Sequence, residues 1–271
     1  MSDIKKIKAI DVNSHLNIGH PYDSTVYSTN NIDYLKRAWG GDYYTVIVNK
    51  QLVRNYNGDF LEGLSNKANV EYTFISTYAA ETNATAVEEG NEYLSDLIKK
   101  KDNYFGWAVI DPRNEKTFSQ AREMLGSGKC VGIRLNPKNH NYTLADFGDK
   151  IFSFAAEFKT NILLCDSQES IVGFADKYSE LNFIVAGYKF GEILCSKNKN
   201  IYTDISGGGS LSNYILENLD ENIFDYILFC SDNYAVGAQR GRVEYAVISE
   251  QNKAKILRLN AEKLFAKYIK G

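Results

Sequence analysis

The sequence predicts an α/β fold, a single (β/α)8 TIM barrel with an insertion between strands 1 and 2. Three observations carry this. Short runs rich in β-branched and aromatic residues alternate with helical patterns from residue 70 onward. With one further run near the N-terminus, these strands number eight. No G-x-G-x-x-G follows the first run, which argues against an open dinucleotide-binding sheet. A length of 271 residues suits one such barrel, so residues 1–271 are read as one domain.

The first strand is Lys8–Asn13, an apolar run that ends in Asp11-Val12-Asn13-Ser14-His15. Residues 17–60 fit no single strand–helix unit. They hold an apolar run, Tyr44–Val48, between polar and Gly-rich pieces. We read 17–60 as an insertion or lid with an extra hairpin; the alternative, with 44–49 as the second barrel strand, stays open. The next strands are Val70–Ser76, Phe105–Ile110, Val131–Asn136, Asn161–Cys165, Phe183–Gly187, Ile201–Ile205 and Tyr226–Ser231. Helical patterns lie between them, over residues 84–101, 115–128, 143–158, 167–180 and 210–219. Gly126 and Gly128 stop the second of these, and Ser167 is placed to cap the fourth.

Composition narrows the function classes. Lys plus Arg total 31 against 34 Asp plus Glu, a formal charge of −3, with no long basic block. That gives no reason to expect nucleic acid or an anionic membrane surface as a partner. There is no apolar leader-like segment and no stretch approaching eighteen apolar residues. The expected compartment is cytoplasmic. Cys130, Cys165, Cys195 and Cys230 form no C-x-x-C pair and are expected reduced.

Chemistry in such a barrel sits at the C-terminal ends of the strands. Those ends present Asn13 and His15, Arg134 and Asn136, Cys165 and Asp166, Gly187 and Lys189, Asp204 and Ser206, and Ser231 and Asp232. Each has a plain reading beside a functional one. His15 is a ligand or acid–base residue, or a histidine hydrogen-bonded to Asp232. Arg134 clamps a substrate carboxylate, or forms an internal ion pair with Asp166 or Asp204. Cys165 is a ligand, a nucleophile, or a packed thiol. Lys189 is a substrate-side lysine or a solvated one. Ser206–Ser210 (SGGGS) is a phosphate cradle or a loop. His20 and His140 lie in polar loops and are read as surface residues.

Six phrases, taken in order, carry a resemblance: IDVNSHL, GWAVIDP, CVGIRLNP, NIYTDISG, ILFCSDNY and KILRLNAEKLF. Together they resemble the amidohydrolase-2 branch of the amidohydrolase superfamily, metal-dependent barrel hydrolases and decarboxylases. The resemblance spans almost the whole chain. It implies a metal held by two His of an H-x-H on strand 1, by His at the ends of strands 5 and 6, and by an Asp after strand 8. Those positions hold Asn13, His15, Cys165, Gly187 and Asp232. His15 and Asp232 match, Cys165 could still bind metal, and Asn13 and Gly187 do not match.

The resemblance therefore implies a hydrolase acting on a small carboxylate-bearing molecule through a reduced or remodelled metal site. Asp232 and His15 would be catalytic, and Arg134, Asn13 and Lys189 would bind substrate. His15, Cys165 and Asp232 would hold one divalent metal, zinc or manganese. The alternative is a degenerate barrel that only binds a ligand or protein partner. Members of the family are often oligomeric, so a homo-oligomer is also an expectation.

Overall fold

The computed structural model describes residues 3–16, 27–28, 45–48, 51–54, 58–165, 171–187, 198–206, 216–231 and 236–269. Eight parallel strands form one sheet: β1 (Ala9–Leu16), then β5 (Val70–Thr77), β6 (Tyr104–Val109), β7 (Cys130–Leu135), β8 (Asn161–Leu164), β9 (Asn182–Val185), β10 (Ile201–Asp204) and β11 (Ile227–Leu228). Their order in space is their order in sequence. That order is what one helical crossover after each strand produces.

Backbone and side-chain bonds bring the two edges together. Val12 N donates to Phe229 O at 3.0 Å, just past β11. Asp11 accepts from Ser231 N at 3.0 Å and Ser231 Oγ at 2.5 Å. The barrel is thus nearly closed, as the alternating pattern predicts.

The ambiguous segment resolves in favour of an insertion. β2 (Tyr27–Ser28), β3 (Thr45–Val48) and β4 (Gln51–Arg54) form a separate antiparallel sheet in the order β2-β4-β3. β5 pairs directly with β1, so 44–49 is not a barrel strand.

Local chemistry sets the helix ends. In the Glu115–Gly126 helix, Asn114 caps the start by accepting from Lys116 N at 3.0 Å. Gly128 follows with φ of 75°, a left-handed turn that glycine adopts without a Cβ clash. In the Leu144–Phe158 helix, Thr143 Oγ1 accepts from Asp146 N at 3.2 Å. The expected cap at Ser167 and most of 210–219 lie outside the described residues. No described helix is long and apolar enough to cross a membrane.

An aromatic cluster packs the interior. Phe74, Trp107 and Phe265 meet edge to face, with ring centroids 4.7 to 6.5 Å apart. The Trp107 indole donates to Val12 O at 2.9 Å, which satisfies its one buried polar atom. The closing phrase locks onto the last strand: Asn260 Nδ2 donates to Phe224 O and Ile227 O at 2.7 and 2.8 Å.

Two predictions follow from this packing. A Cβ at Gly132 would run into the Asn161 carbonyl oxygen and the Trp107 ring. Gly132→Ala should therefore cost about 1–3 kcal/mol, read as a lower urea midpoint. The second concerns Asp11, whose complete burial pushes its carboxyl up from 3.8 to about 7, against the pull of the Ser231 and Asn13 hydrogen bonds. Between those values the folded chain holds a proton that the unfolded chain has released. The contribution of Asp11 to stability is therefore full below about pH 4 and lost as pH rises through about 7. Asp11→Asn should flatten that part of the stability–pH curve; an unchanged slope would refute the assignment.

Candidate active site at the barrel mouth

β1 delivers two side chains to the C-terminal end of the barrel, Asn13 and His15, both buried. The β1–β5 register shifts between Asp11 and Ser14, the irregular stretch of β1 that holds Asn13. β7 delivers Arg134, whose side chain is only 3% exposed. One turn of helix after β5, Tyr78–Thr82, delivers Glu81, also 3% exposed.

These groups form one chain of contacts. Arg134 Nη2 lies 2.8 Å from Glu81 Oε2, a buried ion pair. Arg134 Nη1 donates to Asn13 Oδ1 at 2.5 Å, and Nη2 reaches Cys165 Sγ at 3.4 Å. Asn13 Nδ2 donates to Asp204 Oδ2 at 2.8 Å. Asp204 Oδ1 accepts from Gly187 N at 2.8 Å, Ser206 N at 2.9 Å and Ser206 Oγ at 2.5 Å. The other Glu81 oxygen, Oε1, bonds His15 Nδ1 at 2.7 Å and accepts from Ser76 Oγ.

Electrostatics fix the states of these groups. Burial raises the Glu81 carboxyl, but the Arg134 guanidinium and His15 outweigh it and hold it below the usual carboxylate range. An ionised Glu81 accepts, so Nδ1 of His15 carries the proton toward it. Nε2 is then the ring nitrogen that would exchange a proton with a substrate.

A second layer braces the two loops that meet at this pair. His140 Nε2 bonds Ala80 O at 2.8 Å, next to Glu81. Arg113 Nη2 donates to His140 O at 2.7 Å, while its Nε and Nη2 bond the two oxygens of Asp111 at 2.9 and 3.1 Å. Burial raises the Asp111 carboxyl, but Arg113 overrides it and holds it below the ordinary range. Asp111 belongs to the Asp-Pro phrase after β6, and its work here is structural.

Several expected placements change. Arg134 forms an internal ion pair with Glu81, and Asn13 links it to Asp204; Asp166, the other acid expected for it, lies outside the described residues. His15 Nδ1 bonds Glu81, which the strand ends did not offer as a partner; Asp232, its alternative partner, lies outside the described residues. His140 is 2% exposed and not a surface residue, because its ring caps the Ala80 carbonyl. Cys165 is half-buried beside the guanidinium. Asp232, Lys189, Asp166, His20, Cys195 and 207–210 lie outside the described residues. The strand ends alone did not point to Glu81, which stands one helical turn beyond β5; its signal was an acidic residue in the first turn after the second strand.

The Amidohydrolase family model matches residues 54–267. The chain belongs to the amidohydrolase family. No curated protein matches the sequence. Solved structures share the fold of this amidohydrolase over nearly its whole length. 2,6-Dihydroxybenzoate decarboxylase from Rhizobium superposes with a TM-score of 0.70 at 14% identity, covering 96% of this chain and 99% of that one. 5-Carboxyvanillate decarboxylase from Novosphingobium aromaticivorans, with manganese and 4-hydroxy-3-methoxy-5-nitrobenzoic acid, gives 0.66 at 13%, covering 98% of each chain. A dihydroxybenzoic acid decarboxylase from Polaromonas, with manganese and 2-nitroresorcinol, gives 0.64 at 16%, covering 96% and 97%. At these identities the likeness shows the fold.

The donor set of this amidohydrolase can be tested against a divalent ion. Among the described residues no group of three or more His, Cys, Asp or Glu is placed to hold one. Asn13 Oδ1 and Cys165 Sγ are turned to a guanidinium, and Gly187 offers no side chain. The described residues do not fit a metal centre.

The ion pair makes a prediction of its own. Glu81→Leu leaves the Arg134 charge buried without its carboxylate and should cost about 3–5 kcal/mol. Glu81→Leu/Arg134→Met removes both charges and should be more stable than Glu81→Leu alone, measured by urea unfolding.

Proposed function

We propose that this amidohydrolase-family chain is an enzyme that hydrolyses a small carboxylate-bearing molecule at the barrel mouth. The observation that carries this reading is the buried chain His15–Glu81–Arg134–Asn13–Asp204 at the strand ends. Burying an imidazole, a guanidinium and two carboxylates costs solvation that an apolar strand end would not. Their convergence at the end of a barrel where chemistry is built favours a functional over a packing role.

Roles follow from chemistry. His15, oriented through Nδ1 by Glu81, transfers a proton at Nε2. Arg134, with Asn13, supplies the positive field that orients the substrate's anionic group. Asp232 serves as the general base and Lys189 as a further substrate contact. The carboxylated aromatics named for the structural neighbours support the substrate class. The same names favour decarboxylation as a second reading, in which His15 delivers the proton that replaces the carboxylate. The manganese named with two of the neighbours supports a cation in the chemistry, and Arg134 supplies a positive charge at this barrel mouth.

The purified protein should turn over at least one member of a panel of carboxylated phenols and carboxylated lactones. Released CO2 separates decarboxylation from ring opening. His15→Asn should lower kcat on that substrate by about 10^2–10^4-fold. Binding without turnover across the panel would leave a ligand-binding barrel, and unchanged kcat in His15→Asn would remove His15 from the mechanism.

A further inference from the structure

We propose that the guanidinium of Arg134 is the resident cation of the barrel mouth and stands in place of a divalent metal ion. The inference deepens the proposed function by naming the cation of that site, and it rests on that reading only in taking the mouth as the reaction site.

The geometry is specific. Asn13 and Cys165 stand where the resemblance places two metal-binding imidazoles, and one guanidinium bonds both, at 2.5 and 3.4 Å. His15 stands at a third such position and is drawn to Glu81, the counter-charge of that guanidinium, at 2.7 Å. Two positions that would converge on an ion thus bond Arg134 directly, and Glu81 links the third to the same guanidinium.

The residue types agree with this. A carboxamide oxygen is a good acceptor for a guanidinium N–H and a poor zinc ligand. A planar fork of donors matches acceptors spread around it, and arginine keeps its charge at any working pH. The site therefore cannot release its cation by deprotonation to admit another. A divalent ion at the same place would meet a like charge and acceptors already turned away from it. Glycine at 187 fits the same scheme: its N–H, with no side chain interposed, donates to Asp204 at 2.8 Å.

The test uses the full-length protein with Mn2+ or Zn2+ alone. After incubation and gel filtration, the native chain should retain less than about one-tenth of an ion, where a three-ligand site would retain about one. Arginine side-chain N–H resonances should be recorded during Mn2+ titration, with Arg134 assigned by its loss in Arg134→Lys. The Arg134 resonance should stay sharp, because a paramagnetic ion at this site would broaden it beyond detection. Stoichiometric metal that erases the Arg134 resonance overturns the proposal; metal that leaves it sharp sits elsewhere and supports it. Asn13→His/Arg134→Met/Cys165→His should gain about one ion per chain. If it folds and gains none, the guanidinium is not what excludes metal. Should it not fold, the native titration still decides. Every readout is metal content or resonance, so an inactive substrate panel leaves the proposal standing, and a bound metal refutes it without touching the substrate class.

Discussion

The buried pairing of Arg134 with Glu81 is the constraint on which the barrel mouth depends. Both side chains are 3% exposed, so neither charge has enough water to satisfy it. In such surroundings a charge needs its counter-ion and most of its hydrogen bonds, or it does not stay buried. The rest of the network reads as the consequence. The guanidinium takes Glu81 Oε2, Asn13 Oδ1 and Cys165 Sγ as acceptors. The second Glu81 oxygen takes His15 and Ser76. Asn13 passes the connection to Asp204, which in turn holds Gly187 and Ser206. One ion pair thus sets the positions of groups at the ends of β1, β5, β7, β8, β9 and β10.

A barrel makes this economical because its strand ends face a common axis. Residues distant in sequence become neighbours only when the sheet closes, and closure is secured separately. Val12 bonds Phe229, Asp11 bonds Ser231, and Asn260 clamps the start of the last strand. The loops around the ion pair have their own brace. His140 fixes the helix that carries Glu81, and the Asp111–Arg113 pair fixes His140. The two shells divide the labour: the outer one uses half-exposed pairs and carbonyls, and the inner one uses fully buried charges.

The barrel was legible because its signals are local. Strand runs and helix periods recur within windows of a dozen residues, and the strand boundaries fall close to where those patterns place them. The insertion was legible as a break in the same rhythm, and its antiparallel pairing followed once β5 had taken the place beside β1. Charge pairing was not legible. The sequence leaves Arg134 open between an internal ion pair and a substrate clamp, and the acids it offers for the pair are those at strand ends. Its partner lies beyond a strand, in Tyr-Ala-Ala-Glu-Thr, which reads as an ordinary first helical turn. His140 sits in Asn-Pro-Lys-Asn-His-Asn, as polar as any surface loop, and its burial follows from a carbonyl sixty residues away. Local polarity carries no information about such partners; only the closed sheet does.

Asn13 shows why the changes at this site belong together. Its oxygen faces a cation and its NH2 faces a carboxylate, so it must both accept and donate. A carboxamide does this without adding charge, and its two polar atoms diverge toward the two partners. A carboxylate at 13 would repel Asp204, and an ammonium would repel Arg134. Once Arg134 and Glu81 occupy the centre, a neutral relay at 13 is what joins them to Asp204. The reverse also holds. Returning an imidazole to position 13 alone would leave the guanidinium in place with its thiol and carboxylate acceptors, and would create no metal site. Asn13, Cys165 and Gly187 thus share one network, in which the Arg134 guanidinium and the Asp204 carboxylate take up the polar groups that these three positions offer.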